Sequence, residues 1–212
     1  MRRVCLSLVL ALPLVAHAGA LRVDAAAREP AEVRICYNYG CGNEGVVRLH
    51  AATLARLGEG LAGARTEAEE RERLAEVVGW LYRLASTQTP VGADRAGNFL
   101  DAGAHGRMDC IDHATSTTRL LKLVEARGWL RFHRVLEPAR RTRLVVLQHF
   151  SAVVEVRAAC DCTDEGRVIE AADGGGRPGE RYAVDSWFVG NGEPAVVLPL
   201  AEWLNGGGPN VQ

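Results

Sequence analysis

Two segments in the first half of the chain have the spacing of apolar residues that is typical of amphipathic helices. Over residues 46–61, apolar side chains recur near every third or fourth position. Over residues 66–85, a stronger apolar stripe follows Thr66 and Glu69, whose spacing is that of a capping box at a helix start. We therefore predict two helices, with the charged residues of 67–76 on the solvated face of the second.

A third helix is predicted over residues 109–127, after a glycine-rich loop at 89–106. Asp109 suits the N-cap position, Asp112 adds an acid to the first turn, and Gly128 ends the pattern. Both acids are expected to act as caps and not as catalysts. Their negative charges would oppose ionisation of a thiol in this turn.

After Gly128 the period of apolar residues changes from about 3.6 to 2, which indicates strands. The predicted strands are 129–135, 143–148, 151–157, 181–188 and 195–198. Helices followed by antiparallel strands predict an α+β domain in which the N-terminal helices pack on an antiparallel sheet.

The N-terminus has the layout of a secretory signal. Arg2 and Arg3 precede an apolar stretch at 4–15, and Ala16-His17-Ala18 is a small-x-small cleavage sequence. The apolar stretch is shorter than the roughly 20 residues that span a bilayer. We expect cleavage near Ala18 and export to the periplasm or the exterior; an uncleaved anchor is the alternative.

With 1–18 as the signal peptide, 19–204 is expected to form one domain and 205–212 a flexible tail. The 25 basic residues nearly balance the 26 acidic ones, and no basic stripe is interleaved with aromatic residues. Nucleic acid is therefore not an expected partner. No later stretch is apolar enough for a membrane helix, so no membrane insertion is expected after signal cleavage.

Five cysteines remain after this cleavage: a C-x4-C pair, a C-x-C pair and one odd residue, Cys110. An odd thiol in an exported protein is a candidate reactive group, although a buried inert cysteine is the alternative. The paired cysteines are Cys36, Cys41, Cys160 and Cys162. Disulfides suit an oxidising compartment better than a four-thiolate zinc site, so we expect no metal and no cofactor. Bridges within the pairs or between them both remain open.

Cys110 is placed at the start of the third helix, where free N–H groups favour a thiolate. A thiol nucleophile also needs an imidazole to take its proton and an acceptor to orient that imidazole. His149 opens the strand segment 149–156, and Asp185 lies in the next strand segment, 182–188. Adjacent antiparallel strands bring these two side chains together if the register permits. The result would be a Cys110, His149, Asp185 site.

The same residues carry a resemblance to a known family. The sequence DCIDH at 109–113, followed by an apolar helix, resembles the nucleophile motif of bacterial, exported transglutaminase-like cysteine peptidases. The segments HFSAVVEV and GERYAVDSWF are similar to the His and Asp strands of that superfamily. The resemblance covers roughly residues 105–190. This chain departs from it at Ser151, because the family places its histidine there and His149 lies two residues earlier.

The resemblance implies a papain-like, transglutaminase-like core and thiol-dependent acyl transfer on a peptide or glutamine amide. Cys110 would be the nucleophile, His149 the base and Asp185 the orienting acceptor. The implied partner is a peptide or protein substrate, such as a cell-wall peptide. The shifted histidine leaves an alternative, which is an inactive domain of the same fold that binds a cell-wall or protein partner.

Other residues have weaker claims. His113 lies one helical turn after Cys110 and is an alternative base or a packed helix residue. His50, His105 and His133 are expected at the surface. The segment 37–39 within the C-x4-C loop is either pinned structurally by a disulfide or presented to the active site, where it would complete an oxyanion hole.

Overall fold

The computed structural model describes residues 29–143, 147–158 and 177–209. Within them the chain forms four α-helices and two antiparallel sheets, which confirms the α+β class. The strands are β1 (Ala31–Tyr37), β2 (Asn43–Leu49), β3 (His133–Arg143), β4 (Leu147–Val156), β5 (Arg181–Asp185) and β6 (Val196–Pro199). The helices are α1 (Ala51–Ala62), α2 (Glu67–Ser86), α3 (Cys110–Ala126) and α4 (Leu200–Leu204). Among these helices, none is long and apolar enough to cross a membrane.

The hairpin of β1 and β2 is absent from the sequence prediction. The predicted helix at 46–61 is wrong in its first turn, because residues 46–49 belong to β2 and α1 begins at Ala51. Val47 and Leu49 are buried while Val46 and Arg48 are exposed, which is the alternation of a strand. The three-residue spacing of Val46 and Leu49 also fits a helix, so the pattern was ambiguous.

The charged face predicted for α2 contains one exception. Glu70 is fully buried and accepts hydrogen bonds from the Nδ1 of His133 at 2.7 Å and from the backbone N–H of Arg131 at 2.6 Å. The surface prediction for His133 is therefore wrong as well. The pair joins α2 to the start of β3, and each buried polar group satisfies the other.

The second sheet has the order β3-β4-β5-β6. Its strand boundaries differ from the prediction, because the segments 129–135 and 143–148 contribute to a long β3 and to the start of β4. The register between β3 and β4 shifts between Leu136 and Ala139. Pro138 lies within this shift and has no N–H to donate to a ladder, which accounts for the irregularity.

Alternation along the strands gives this sheet two different faces. Ala152, Val154 and Val184 belong to the main core, where α1, α2 and α3 also pack. On the opposite face, Ala183 belongs to a second cluster with Trp187, Phe188 and Trp203 of α4. We call Trp187, Phe188 and Trp203 the aromatic cluster.

Part of the predicted tail lies among the described residues and contacts this second face. The Nη1 of Arg141 donates to the carbonyl oxygen of Gly207 at 2.8 Å and also to that of Trp203. The guanidinium carbon of Arg141 lies 4.6 Å from the centre of the Trp203 ring. One buried cation thus holds both the end of α4 and the chain that follows it.

Candidate active site

Cys110 occupies the first position of α3. The N-cap prediction is confirmed, since the Oδ1 of Asp109 accepts the N–H of Asp112 at 2.9 Å and the Oδ2 of Asp112 accepts the N–H of Asp109 at 3.1 Å. The loop before the helix needs glycine at 106, because φ is +85° and a Cβ there would lie 2.2 Å from the carbonyl oxygen of Pro90. These constraints fix where the helix starts and therefore where the thiol lies.

The tip of the β1–β2 hairpin, residues 38–41, donates backbone hydrogen bonds to the two capping acids. All four residues have φ between 58° and 65°, which is unfavourable for three of them because only Gly40 lacks a side chain. Successive backbone N–H groups in a turn can form a concavity that binds an anionic group. Tyr39 and Cys41 donate to Asp112 at 2.8 and 2.6 Å, and Gly40 donates to Asp109 at 3.0 Å. The acids beside the thiol are thereby hydrogen-bonded from two directions.

Burial is the larger influence on Asp112. It raises the pKa of this carboxyl to about 6, although the N–H donors of Cys41, Asp109 and Tyr39 act in the opposite direction. Asp112 therefore joins the hairpin tip to α3 by hydrogen bonds, and the charge of its carboxyl changes as pH passes through about 6.

The side chains of the hairpin tip brace the loop that leads to Cys110. The hydroxyl of Tyr39 donates to Asp101 at 2.6 Å, and the Oδ1 of Asn38 accepts the N–H of Gly106 at 2.8 Å. The partners of these groups lie in the loop and not at the thiol. This arrangement favours the interpretation of the C-x4-C loop as a pinned structural element.

His149 and Asp185 form a buried pair on the second face of the sheet. The Nε2 of His149 lies 2.7 Å from the Oδ2 of Asp185, which also accepts the indole N–H of Trp203 at 2.8 Å. The Oδ1 of Asp185 accepts the backbone N–H of Trp187 at 3.2 Å. Because a carboxylate only accepts, Nε2 carries the hydrogen in this arrangement and Nδ1 of the neutral ring is an acceptor.

The other ring nitrogen of His149 is available. Within the described residues, its Nδ1 is buried and has no hydrogen-bond partner. The imidazole is enclosed by the aromatic cluster, with ring centroids 4.8 Å from Trp187, 5.2 Å from Phe188 and 5.5 Å from Trp203. An oriented imidazole with one free acceptor nitrogen is the arrangement that a general base requires.

The register of the strands accounts for the unusual position of this histidine. Ala152 pairs with Val184, so Ser151 is level with Asp185 and His149 lies one pleat beyond it on the same face. Strand β5 ends at Asp185, and the carboxylate reaches past the end of the ladder to His149. His149 therefore keeps its contact with Asp185 although it lies two residues before the position level with Asp185.

The thiol of Cys110 lies beside β4, next to the residue that precedes His149. Its Sγ is 3.9 Å from the carbonyl oxygen of Gln148, and its side chain packs against the second hydrophobic cluster. Burial raises the pKa of this thiol to about 11, although backbone hydrogen bonds at Phe150 and Cys110 act in the opposite direction; the charges of Asp109 and Asp185 raise the pKa further. The described residues show no hydrogen bond between Sγ and His149, whose Nδ1 is unpartnered. Any ionisation of the thiol near neutral pH therefore depends on a base.

His113 is engaged elsewhere. Its Nδ1 lies 2.9 Å from the hydroxyl of Ser186 and its Nε2 lies 2.9 Å from the Oδ2 of Asp94. Since both ring nitrogens are used, His113 is not the base for Cys110 in this arrangement. The alternative of a packed helix histidine is the one that fits.

The structure gives the pairing of two of the other four cysteines. Cys36 and Cys41 form a disulfide, which excludes bridges from either of them to the second pair and a zinc site made from all four thiolates. Cys160 and Cys162 lie outside the described residues. The sulfur atoms of Cys36 and Cys41 and a carboxylate oxygen of Asp112 lie within 4.8 Å of one another. With both sulfurs in a disulfide, however, no thiolate is left there to ligate a metal.

Exposed apolar side chains flank the thiol and the imidazole. Ile111 follows Cys110 and Leu147 precedes Gln148. Phe99 is 57% exposed, and its ring centroid lies 4.6 Å from that of Trp187. Large exposed apolar groups at a polar site are typical of surfaces that bind a ligand or substrate.

Comparisons of the chain with protein-family models, with curated proteins and with solved structures give no match. The resemblance to transglutaminase-like cysteine peptidases and the catalytic roles of Cys110, His149 and Asp185 therefore stay predictions. The sequence reasoning did not assign Trp203 as a donor to Asp185 or Ser186 as a partner of His113. No periodic or motif signal marks these contacts, because they join residues distant in the chain.

Proposed function

We propose that the protein is an enzyme of the transglutaminase-like, papain-like type that catalyses thiol-dependent acyl transfer on a peptide or glutamine amide. The observation that carries the proposal is the His149–Asp185 pair. One nitrogen of the ring is held by the carboxylate, and the other has no partner among the residues that the structure describes. The Cys110 thiol lies 3.9 Å from the carbonyl oxygen of Gln148, the residue before His149.

In the proposed reaction, Cys110 attacks the amide carbonyl while its proton passes to the Nδ1 of His149. A raised thiol pKa makes this assisted transfer necessary, since a thiol with a pKa of about 11 is scarcely ionised at neutral pH. Asp185 holds the ring and stabilises the imidazolium that forms. The imidazolium then protonates the leaving amine and leaves a thioester on Cys110. Water or another amine attacks this thioester and gives its proton to His149, and the acyl product departs as the C–S bond breaks and the Cys110 thiol re-forms.

The start of α3 offers donors for the oxyanion. The capping box uses the N–H of Asp112, and the N–H of His113 donates to the carbonyl oxygen of Asp109 at 3.0 Å. The N–H groups of Cys110 and Ile111 precede the first intrahelical hydrogen bond, so the helix itself does not use them. We assign the N–H of Cys110 to the developing oxyanion, because it belongs to the attacking residue.

The proposal includes export to the periplasm or the exterior. The Cys36–Cys41 disulfide supports it, because disulfides persist in oxidising compartments. An exported acyl transferase would encounter peptide or protein substrates there, including the peptides of the cell wall.

Replacement of the nucleophile tests the assignment. Cys110→Ala and His149→Ala should each abolish hydrolysis of peptide amides and incorporation of an amine into glutamine peptides. His50→Ala, which changes an exposed imidazole at the start of α1, is the matched control and should retain full activity. Amide turnover that survives Cys110→Ala would exclude this mechanism.

One observation favours a second candidate, an inactive domain that binds a cell-wall or protein partner. The thiol has a raised pKa and makes no hydrogen bond to His149 within the described residues. The rate of Cys110 alkylation between pH 7 and 10 separates the two functions. An unassisted thiol should react about tenfold faster per pH unit and should be indifferent to His149→Ala. An assisted thiol should be alkylated at pH 7 faster than a tenfold change per pH unit predicts from the rate at pH 10. His149→Ala should remove this additional rate.

A further inference from the structure

A buried hydrogen-bond network around His113 joins α3, which carries Cys110, to Ser186, which follows Asp185. His113 and Asp94 have side chains only 2% exposed, and the Nε2 of His113 lies 2.9 Å from the Oδ2 of Asp94. On its other side, the Nδ1 of His113 lies 2.9 Å from the hydroxyl of Ser186. His113 belongs to the helix that carries Cys110, whereas Ser186 directly follows Asp185.

The network extends on both sides of the imidazole. The Oδ1 of Asp94 accepts the N–H of Met108 at 2.8 Å, two residues before Cys110. At the other end, the hydroxyl of Ser186 lies 2.8 Å from that of Thr117, one turn further along α3. The start of α3 is therefore hydrogen-bonded to the loop that contains Asp94, and its second turn is hydrogen-bonded to Ser186, the residue after β5.

The hydrogens of this network can be placed without conflict. Asp94 accepts from Nε2 of His113, the hydroxyl of Ser186 donates to Nδ1, and the hydroxyl of Thr117 donates to Ser186. The hydroxyl of Tyr82 lies 3.0 Å from Thr117, and burial raises the pKa of Tyr82, so it remains a donor. A buried polar network with every member satisfied holds its segments rigidly.

We propose that His113 is a positioning residue, which through Ser186 and Asp94 sets the placement of Cys110 relative to the His149–Asp185 pair. The inference rests on the proposed function for its catalytic consequence but not for its geometric one. The thiol is carried by α3 and the His–Asp pair by β4 and β5, so their separation depends on contacts between these elements. Ser186 is buried and its hydroxyl is shared by two partners, so it is not a second nucleophile.

Two substitutions remove the same contact from opposite sides. His113→Gln retains a side-chain N–H that can reach Asp94 but loses the ring nitrogen that accepts from Ser186, and Ser186→Ala removes the hydroxyl. For Cys110-dependent amide hydrolysis, each variant should lower kcat on the order of 10²-fold and change KM less than about twofold, because misplacement of the reacting groups acts on the chemical step. The double variant should be no slower than the slower single variant, since both changes break one interaction.

His133→Gln is the matched control, because it perturbs a buried histidine–carboxylate pair of similar geometry away from the site. It should lower Tm as His113→Gln does while leaving kcat unchanged. A kcat that falls in parallel with Tm in all variants, His133→Gln included, or additive losses in the double variant would overturn the positioning role.

Crystal structures of the wild type and of His113→Gln test the geometry without any substrate. The distance from the Cys110 Sγ to the Nδ1 of His149 should change by about 1 Å, the scale of misplacement that catalysis does not tolerate. An unchanged distance would refute the proposal even in an active enzyme. A changed distance in a protein with no thiol-dependent activity would support positioning and count against the proposed function.

Discussion

Replacement of Asp185 by asparagine changes one atom and creates a conflict that either orientation of the new amide retains. The Oδ2 of Asp185 receives the hydrogens of His149 and Trp203, and its Oδ1 receives that of Trp187. If the amide oxygen takes the Oδ2 position, the NH2 group faces the backbone N–H of Trp187. If the NH2 group takes that position, it faces the indole N–H of Trp203 and forces His149 into its other tautomer.

These contacts set the expected losses in the free energy of unfolding and in kcat/KM for Asp185→Asn. Asp185 is 2% exposed, so water cannot relieve the conflict. One buried donor left without an acceptor and one lost charge-assisted hydrogen bond together should lower the free energy of unfolding by about 2–4 kcal/mol. The effect on catalysis should be larger. In the second orientation the ring carries its hydrogen on Nδ1 and cannot take the thiol proton, and in either orientation the charge that stabilises the imidazolium is lost. The value of kcat/KM should therefore fall on the order of 10²–10⁴-fold.

Trp203→Phe is the comparison variant. It removes one donor to Asp185 but keeps the carboxylate and its hydrogen bond to His149. Urea unfolding should show a loss of about 1–3 kcal/mol, and kcat/KM should fall less than about tenfold because the tautomer is retained. Asp185→Asn with kcat/KM within a factor of about two of the wild type, or Trp203→Phe with the greater catalytic loss, would refute the reasoning.

Two further predictions concern the hairpin tip beside the site. Removing the Cys36–Cys41 disulfide with the variant Cys36→Ser/Cys41→Ser should lower the free energy of unfolding by about 2 kcal/mol, the loop-closure contribution of a short loop, and an unchanged urea midpoint would contradict it. The folded-state pKa of Asp112 lies above its ordinary value of 3.8, so its contribution to stability is fully present below pH 3.8 and is lost as pH rises through about 6. In unfolding measurements from pH 4 to 7, Asp112→Asn should remove this decline relative to the wild type, and parallel curves for the two proteins would count against a raised pKa.

Local signals in the sequence predicted the parts of this protein that are governed by local physics. The N-cap at Asp109, the helix that follows it and the end near Gly128 depend on residues within a few positions of one another, and the structure has them as expected. The β1–β2 hairpin was not predicted, because Val46 and Leu49 have helical spacing whereas the strand alternation is carried by Val47 and Leu49. Only long-range pairing with β1, at Val46↔Arg34 and Ala31↔Leu49, decides between them.

In the candidate site as well, features that depend on local sequence were predicted and contacts between distant elements were not. The choice of Cys110, His149 and Asp185 came from cysteine arithmetic and motif order, both of which are readable along the chain. The burial of His133 against Glu70 and the use of His113 by Asp94 were not readable, since in each case the partner lies on a separate element. A lone histidine in a sequence gives no indication of whether a distant carboxylate will draw it into the core.

The acids around Cys110 constrain how its thiol can act. A helix N-terminus alone would favour a preformed thiolate, yet Asp109 lies next to the thiol and Asp185 is close enough to raise its pKa. The N–H groups of residues 39–41 are bound to Asp109 and Asp112, so they relieve the carboxylates without being available to stabilise the sulfur. Charge stabilisation of the thiolate is therefore weak here, while the His149 ring is firmly oriented. A site built this way favours transfer of the proton during attack over a standing thiolate–imidazolium pair.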